Sequence, residues 1–148
     1  MILKQHVNHR IVVVDDSMLA DMLGNYIRDC LEDTEVLVFQ DGDAAWQELS
    51  QTDPDVLITD MQRLDSMSGW EMLPLLAARN VKYPILLITA YHAGSDPGDG
   101  KTLWDVHDLL WSRCSNLKVT ILPKPFPLPI LKKALEAWLI KAPESKAH

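Results

Sequence analysis

The sequence predicts an α/β fold: a doubly wound parallel sheet of five βα units in three layers. Three observations lead there. Apolar runs of four or five residues, rich in β-branched side chains, recur along the chain; segments with helical spacing separate them; and polar residues stand at or just past the C-terminal ends of four runs. Alternating strand and helix patterns argue for a parallel sheet. In such a sheet the strand ends share one rim, where residues distant in sequence converge into a crevice.

Residues 1 to 9 read as a short tail before the first strand, Ile11–Val14, which ends at Asp15 and Asp16. Ser17 is the expected N-cap of a helix whose inner face is Leu19, Met22, Leu23, Tyr26 and Ile27. Glu35–Phe39 fits an outer strand, its charged start pointing to partial exposure. Asp41 or Asp43 caps the second helix, with Ala45, Trp46 and Leu49 inward. Val56–Thr59 is the strand before Asp60. Pro74 limits how early the third helix can begin, because proline fits only a first turn. Ile85–Ile88 precedes Thr89, and Gly94–Gly100 has the composition of a loop. Leu103, Trp104, Val106, Leu109, Leu110 and Trp111 cover more of a helix than one buried stripe needs. Trp104 and Trp111 are read there as core or lid residues, with a partner-facing half of the helix as the alternative. Val119–Leu122 is the fifth strand, and Leu128, Leu131, Leu135, Trp138 and Leu139 form the last helical stripe. The runs before the polar residues lack polar alternation, as strands covered on both faces do. Right-handed crossovers put helices on both sides.

A chain of 148 residues with 47% apolar content is expected to form one domain with a real core. No apolar run approaches a membrane span, and the N-terminus lacks a signal-peptide core with a cleavage site, so the expected location is cytoplasmic. Cys30 and Cys114 give no disulfide framework and no metal-type spacing, and are read as packing residues. A net charge of −7 without a basic stripe argues against direct nucleic-acid binding and for protein partners. Neither the N-terminal tail nor Ala142–His148 is long enough to house an output domain. His6 and His9 are read as a solvated terminus rather than a metal pair. Asp96 and Asp99 resemble a fragment of a calcium loop without enough ligands.

The chemistry lies at the strand ends. Asp15, Asp16 and Asp60 supply hard oxygen ligands of the kind Mg²⁺ takes while keeping several waters. Close carboxylates repel; a bound cation and Lys124 offset that repulsion and keep Asp60 ionised as a nucleophile. Attack on the phosphorus of a phosphohistidine or small phosphodonor gives an acyl phosphate on Asp60. Charge on the transferring oxygens is then offset by the metal, Lys124, the Thr89 hydroxyl and a backbone N–H near Ala90. An acidic pair after a strand is by itself often only a turn or cap, and Lys-Pro only a stop. The joint constellation carries the reading.

Val13–Ser17, Ile58–Asp60, Ile88–Ala90 and Lys124–Phe126, in that order on successive strand ends, resemble the receiver domain of two-component response regulators. The resemblance spans about residues 10 to 140. It implies a flavodoxin-like (βα)5 fold with strand order 2-1-3-4-5 and Asp60 as phosphoacceptor. It also implies a Mg²⁺ site from Asp16, Asp60, the Gln62 carbonyl and, partly through water, Asp15. Lys124 then pairs with the phosphoryl group, the bond before Pro125 is cis, and Thr89 moves toward the phosphoryl oxygen and carries the change to the helix 4 and strand 5 face. The implied function is that of a stand-alone receiver in a two-component or phosphorelay system. A histidine kinase or phosphotransfer protein charges it, it catalyses only its own phosphorylation and dephosphorylation, and it signals by protein contacts. A homodimer through the helix 4, strand 5 and helix 5 face is open to it.

The sequence departs from the pattern in three places. Ile121 stands where receivers usually carry an aromatic switch residue. Met61–Gly69 is one residue longer and lacks the usual proline, and the Thr89–Lys124 span is extended. Gln62 and Tyr91 are expected to border the path of hydrolytic water. Two other readings compete: a degenerate receiver acting as a phosphorylation-independent interaction module, and a metal-dependent phosphohydrolase. The second resembles the haloacid dehalogenase family, whose nucleophilic Asp follows the first strand rather than the third.

Overall fold

A computed structural model describes residues 9–15, 18–61, 66–91 and 100–139. Ten elements alternate along it: β1 (His9–Val14), α1 (Leu19–Cys30), β2 (Thr34–Phe39), α2 (Gly42–Gln51), β3 (Val56–Asp60), α3 (Gly69–Ala78), β4 (Ile85–Thr89), α4 (Leu103–Arg113), β5 (Val119–Pro123) and α5 (Leu128–Leu139). The strands form one sheet in the order β2-β1-β3-β4-β5, every pairing parallel. This is the flavodoxin-like order that the resemblance implies.

Strand side chains alternate between faces, so a run with no polar alternation needs cover on both sides. Val12, Val14, Leu57, Ile85 and Leu87 pack with Ala45 and Leu49 of α2, Met72, Leu73 and Leu76 of α3, and Val106 and Leu109 of α4. Ile11, Val13, Val56, Ile58, Leu86 and Ile88 pack with Leu23 and Ile27 of α1 and Leu131, Leu135 and Leu139 of α5. Each such Val, Ile, Leu or Met side chain, taken fully out of water, contributes about 1.5–3 kcal/mol before entropy is counted.

Local chemistry sets the helix starts. The Asp41 carboxylate accepts from the amides of Asp43 at 2.7 Å and Ala44 at 3.3 Å, which identifies Asp41 as the α2 cap. α3 opens on a Ser68/Glu71 capping box and α4 on a Thr102/Asp105 box. Met18 holds the N-cap position of α1 without a side-chain cap, while Ser17 lies outside the described residues.

Five expectations are corrected. β1 begins at His9, whose amide donates to the Asp33 carbonyl at 3.2 Å, so His9 is a strand residue and not part of a solvated tail. Met22 is 52% exposed, because the buried stripe of α1 is Ala20, Leu23, Gly24 and Ile27, and Met22 sits roughly 200° around the helix from Ala20. Pro74 lies inside α3, past its first turn. Nucleation by the capping box and burial of Met72, Leu73 and Leu76 offset the hydrogen bond that Pro74 cannot donate. Trp104 and Trp111 are 64% and 83% exposed and do not enter the core. Val106 and Leu109 face the sheet, and each tryptophan is two residues beyond that stripe, which turns it to solvent. β5 is only half-covered, with Thr120 exposed, because it is an edge strand. The expected partial exposure of β2, the other edge, holds.

Cys30 is half-buried and Cys114 buried, and burial pushes the Cys114 thiol up, in keeping with packing roles. Residues 94–99 of the expected loop, with Asp96 and Asp99, lie outside the described residues, as do His6 and the C-terminal tail. No helix among the described residues is long and apolar enough to cross a membrane.

Candidate phosphoacceptor site

Parallel register decides which strand-end side chains meet. Val14 pairs with Thr59, so Asp15 and Asp60 stand beside each other at the ends of β1 and β3. Asp60 pairs with Ile88, and Thr89 with Pro123, which carries the same rim on to β4 and β5. Asp15, Asp60 and Thr89 are buried at 1%, 4% and 2% exposure. Lys124 follows β5: its amide donates to the Thr89 carbonyl at 2.8 Å, and its Nζ donates to Asp15 Oδ2 at 3.1 Å. With Asp15 almost dry and Lys124 half-buried, this pair is screened far less than a surface ion pair.

Backbone hydrogen bonds hold the rim. The Asp15 amide donates to the Phe39 carbonyl at 3.1 Å, and the buried Thr59 hydroxyl to the Asp60 carbonyl at 3.0 Å. The Tyr91 amide donates to Thr89 Oγ1 at 3.0 Å, fixing the position of that hydroxyl oxygen. Gly69 seats α3 against the end of β3: its amide donates to the Met61 carbonyl at 2.8 Å. A Cβ at residue 69 would lie 2.7 Å from the Asp60 carbonyl oxygen and 2.8 Å from Met61 Cα, so only glycine allows this approach. The chain returning to α3 is tied to the start of α2, where Ser66 Oγ accepts from the Gly42 amide at 2.8 Å and Asp43 Oδ1 from the Met67 amide at 3.2 Å.

Of the site residues expected from sequence, the fold therefore gathers Asp15, Asp60, Thr89 and Lys124, with Ala90 exposed directly after Thr89. Asp16 and Gln62 lie outside the described residues. The Lys124–Pro125 peptide bond is cis, as the resemblance implies. Asp15 and Asp60 form an oxygen-only donor pair beside an ammonium, which fits a small hard cation such as Mg²⁺ better than a softer metal. Among the described residues no group of three His, Cys, Asp or Glu side chains gathers, and the third carboxylate of the expected set is Asp16.

Tyr91, expected to border the path of hydrolytic water, has its side chain in the core. It is 2% exposed, its ring lies in the core under α3, and its hydroxyl accepts a hydrogen bond from Trp70 Nε1 at 3.0 Å. The rings meet edge to face at 5.6 Å and 74°, and Lys101 Nζ lies 5.1 Å from the centre of the Trp70 ring. Sequence reasoning missed this cluster, since Trp70, Tyr91 and Lys101 share no spacing that brings them together. It also missed an apolar rim beside Lys124. There a cavity of about 280 Å³ is lined by Leu19, Met22, Lys124, Pro125, Phe126 and Leu128, with Met18 87% exposed next to Leu19 in the chain.

The sequence model described as the response regulator receiver domain matches residues 11–102, well over half of the chain. The chain belongs to the response regulator receiver domain family. A curated relative, the probable transcriptional regulatory protein TcrX of Mycobacterium tuberculosis, is 34% identical over 92 residues, a stretch covering 62% of this chain and 38% of that protein. The receiver domain of the Francisella response regulator 1452 superposes with a TM-score of 0.69 at 18% identity, over 91% of this chain and 99% of that one. Vibrio cholerae chemotaxis protein CheY4 gives 0.65 at 22% identity, over 88% and 98%. At these identities the structural likeness establishes the fold, and the family match establishes the receiver as a two-component signalling module.

Proposed function

We propose that Asp60 is the phosphoacceptor of this receiver, taking a phosphoryl group from a phosphohistidine donor in a Mg²⁺-dependent reaction and signalling through protein contacts. One observation carries the reading: a nearly dry Asp60 stands beside Asp15, whose carboxylate is paired at 3.1 Å with Lys124, and shares its rim with the buried Thr89. In the transfer an Asp60 oxygen attacks phosphorus, the phosphorus–nitrogen bond of the donor breaks, and its electron pair returns to the imidazole. Lys124 offsets charge on the transferring oxygens, the Thr89 hydroxyl donates to one of them, and the Ala90 N–H to another. Mg²⁺ held by Asp15, Asp16, Asp60 and the Gln62 carbonyl would supply further neutralisation of that charge. The apolar rim of Leu19, Met22, Pro125 and Phe126 adjoins Lys124, and a histidine kinase or phosphotransfer protein resting there would bring its phosphohistidine to the acceptor and exclude water.

The test is incubation with acetyl phosphate and Mg²⁺, followed by intact mass measurement. The wild type gains one phosphoryl group, and chelation of the metal prevents it. Asp60→Asn gains none while its circular dichroism is unchanged. Labelling of that variant would show the acceptor to be another residue, and an unlabelled wild type would overturn the phosphoacceptor reading.

A further inference from the structure

We infer that this chain reports the state of its acceptor to α4 along the α3 side of the sheet, through Thr89, Tyr91, Trp70 and Lys101. The inference rests on the phosphoacceptor reading and adds the route by which the signal leaves the site. Thr89 Oγ1 is engaged by the Tyr91 amide at 3.0 Å. Drawing that hydroxyl toward a phosphoryl oxygen on Asp60 moves the oxygen that accepts from the buried Tyr91 amide, so the backbone from Thr89 to Tyr91 is pulled with it.

Tyr91 transmits that movement because it is packed and hydrogen-bonded at once. Its ring is buried against the α3 core, meets Trp70 edge to face, and its hydroxyl holds the Trp70 indole at 3.0 Å. A close-packed side chain cannot shift without its neighbours shifting too. Trp70 is the second residue of α3, next to Gly69, whose amide is bound to Met61 immediately after the acceptor. The indole thus feels both the Thr89 end and the Asp60 end of the site. On its face lies the Lys101 ammonium at 5.1 Å, and Lys101 immediately precedes Thr102, the capping residue of α4. On the β5 side the Lys124 amide holds the Thr89 carbonyl rather than its hydroxyl. Ile121 is half-buried, and its apolar side chain has no polar atom to follow the Thr89 hydroxyl.

Nuclear magnetic resonance of the ¹⁵N-labelled full chain tests the route. The Trp70 indole N–H signal is assigned by its loss in Trp70→Phe, and ¹⁹F spectra report bound beryllofluoride in the presence of Mg²⁺. The expected result is that adduct formation shifts the Trp70 indole signal and the amide signals of Lys101 and Thr102. Tyr91→Phe keeps the ring and the fluorine signal but loses the response at Lys101 and Thr102. Thr89→Ala loses it as well, and Thr89→Ser restores it. A bound fluorine signal with an unmoved Trp70 indole overturns this route alone. So does an α4 response that survives Tyr91→Phe. Absence of any bound fluorine signal overturns both this route and the phosphoacceptor reading.

Discussion

The rim at the ends of β1, β3 and β4 and the surface formed by α4 and β5 are built on opposite principles. At the rim, Asp15, Asp60 and Thr89 are nearly dry, and backbone hydrogen bonds fix their surroundings. On the α4–β5 side two tryptophans stand in solvent, Thr120 is exposed and β5 is half-covered. The family sequence match runs through the first region and stops at Thr102, the cap of α4, while the structural likeness continues over about nine-tenths of the chain. Phosphoryl chemistry needs a few polar atoms fixed within fractions of an ångström, which only a rigid frame supplies. A surface that meets a partner has no such constraint, and its residues can differ while the fold stays the same.

The comparison breaks most readily at Lys124. If the rim is chemical, Lys124→Met slows labelling by acetyl phosphate by about 10²-fold or more, the scale of losing one charged stabiliser of a transition state. It also leaves the buried Asp15 carboxylate without its ammonium, which lowers the melting temperature, and added Mg²⁺ restores part of that loss. Thermal melts with and without the metal check the second effect. A variant labelled at the wild-type rate would make Lys124 a structural counter-ion only.

Gly69→Ala comes next. The new methyl group meets the Asp60 carbonyl and Met61 Cα, both backbone atoms that cannot swing aside, so α3 must move away from β3. A cost of about 1–3 kcal/mol in chemical denaturation is expected, the usual range for overpacking, together with slower labelling because Asp60 moves with its carbonyl. Full stability with full labelling would show that the α3 start is not coupled to the acceptor.

How much of this was legible in the sequence follows the same division. The strands at the rim are apolar on both faces, and short βα repeats leave little choice of topology, so Asp15, Asp60, Thr89 and Lys124 could be assigned to one edge from spacing alone. Helix orientation was less legible. Met22, Trp104 and Trp111 are apolar residues turned outward, and a hydrophobic pattern assigns such residues inward by default. Pro74 misled for a different reason: a local rule about proline was outweighed by a capping box and three buried neighbours. The Tyr91–Trp70–Lys101 cluster was invisible because it joins the end of β4, the first turn of α3 and the residue before the α4 cap, which meet only in three dimensions.

The smallest expected effect sharpens the comparison from the other side. Trp104→Ser and Trp111→Ser, separately, remove large apolar side chains that are 64% and 83% exposed, so little burial is lost. Each change is expected to alter stability by no more than about 0.5 kcal/mol, the range for surface substitutions, and to leave acetyl phosphate labelling unchanged, because neither residue touches the rim. Trp111 also lines a groove with His107, Leu110, Cys114, Leu117 and Val119, so its removal opens that groove without unfolding α4, whose hold on the sheet is Val106 and Leu109. A fall of several kcal/mol in either variant would mean that the α4–β5 side is part of the frame after all. Unchanged stability and labelling would leave exposed tryptophans that neither folding nor phosphoryl chemistry requires, the combination expected of a surface kept for contact with another protein.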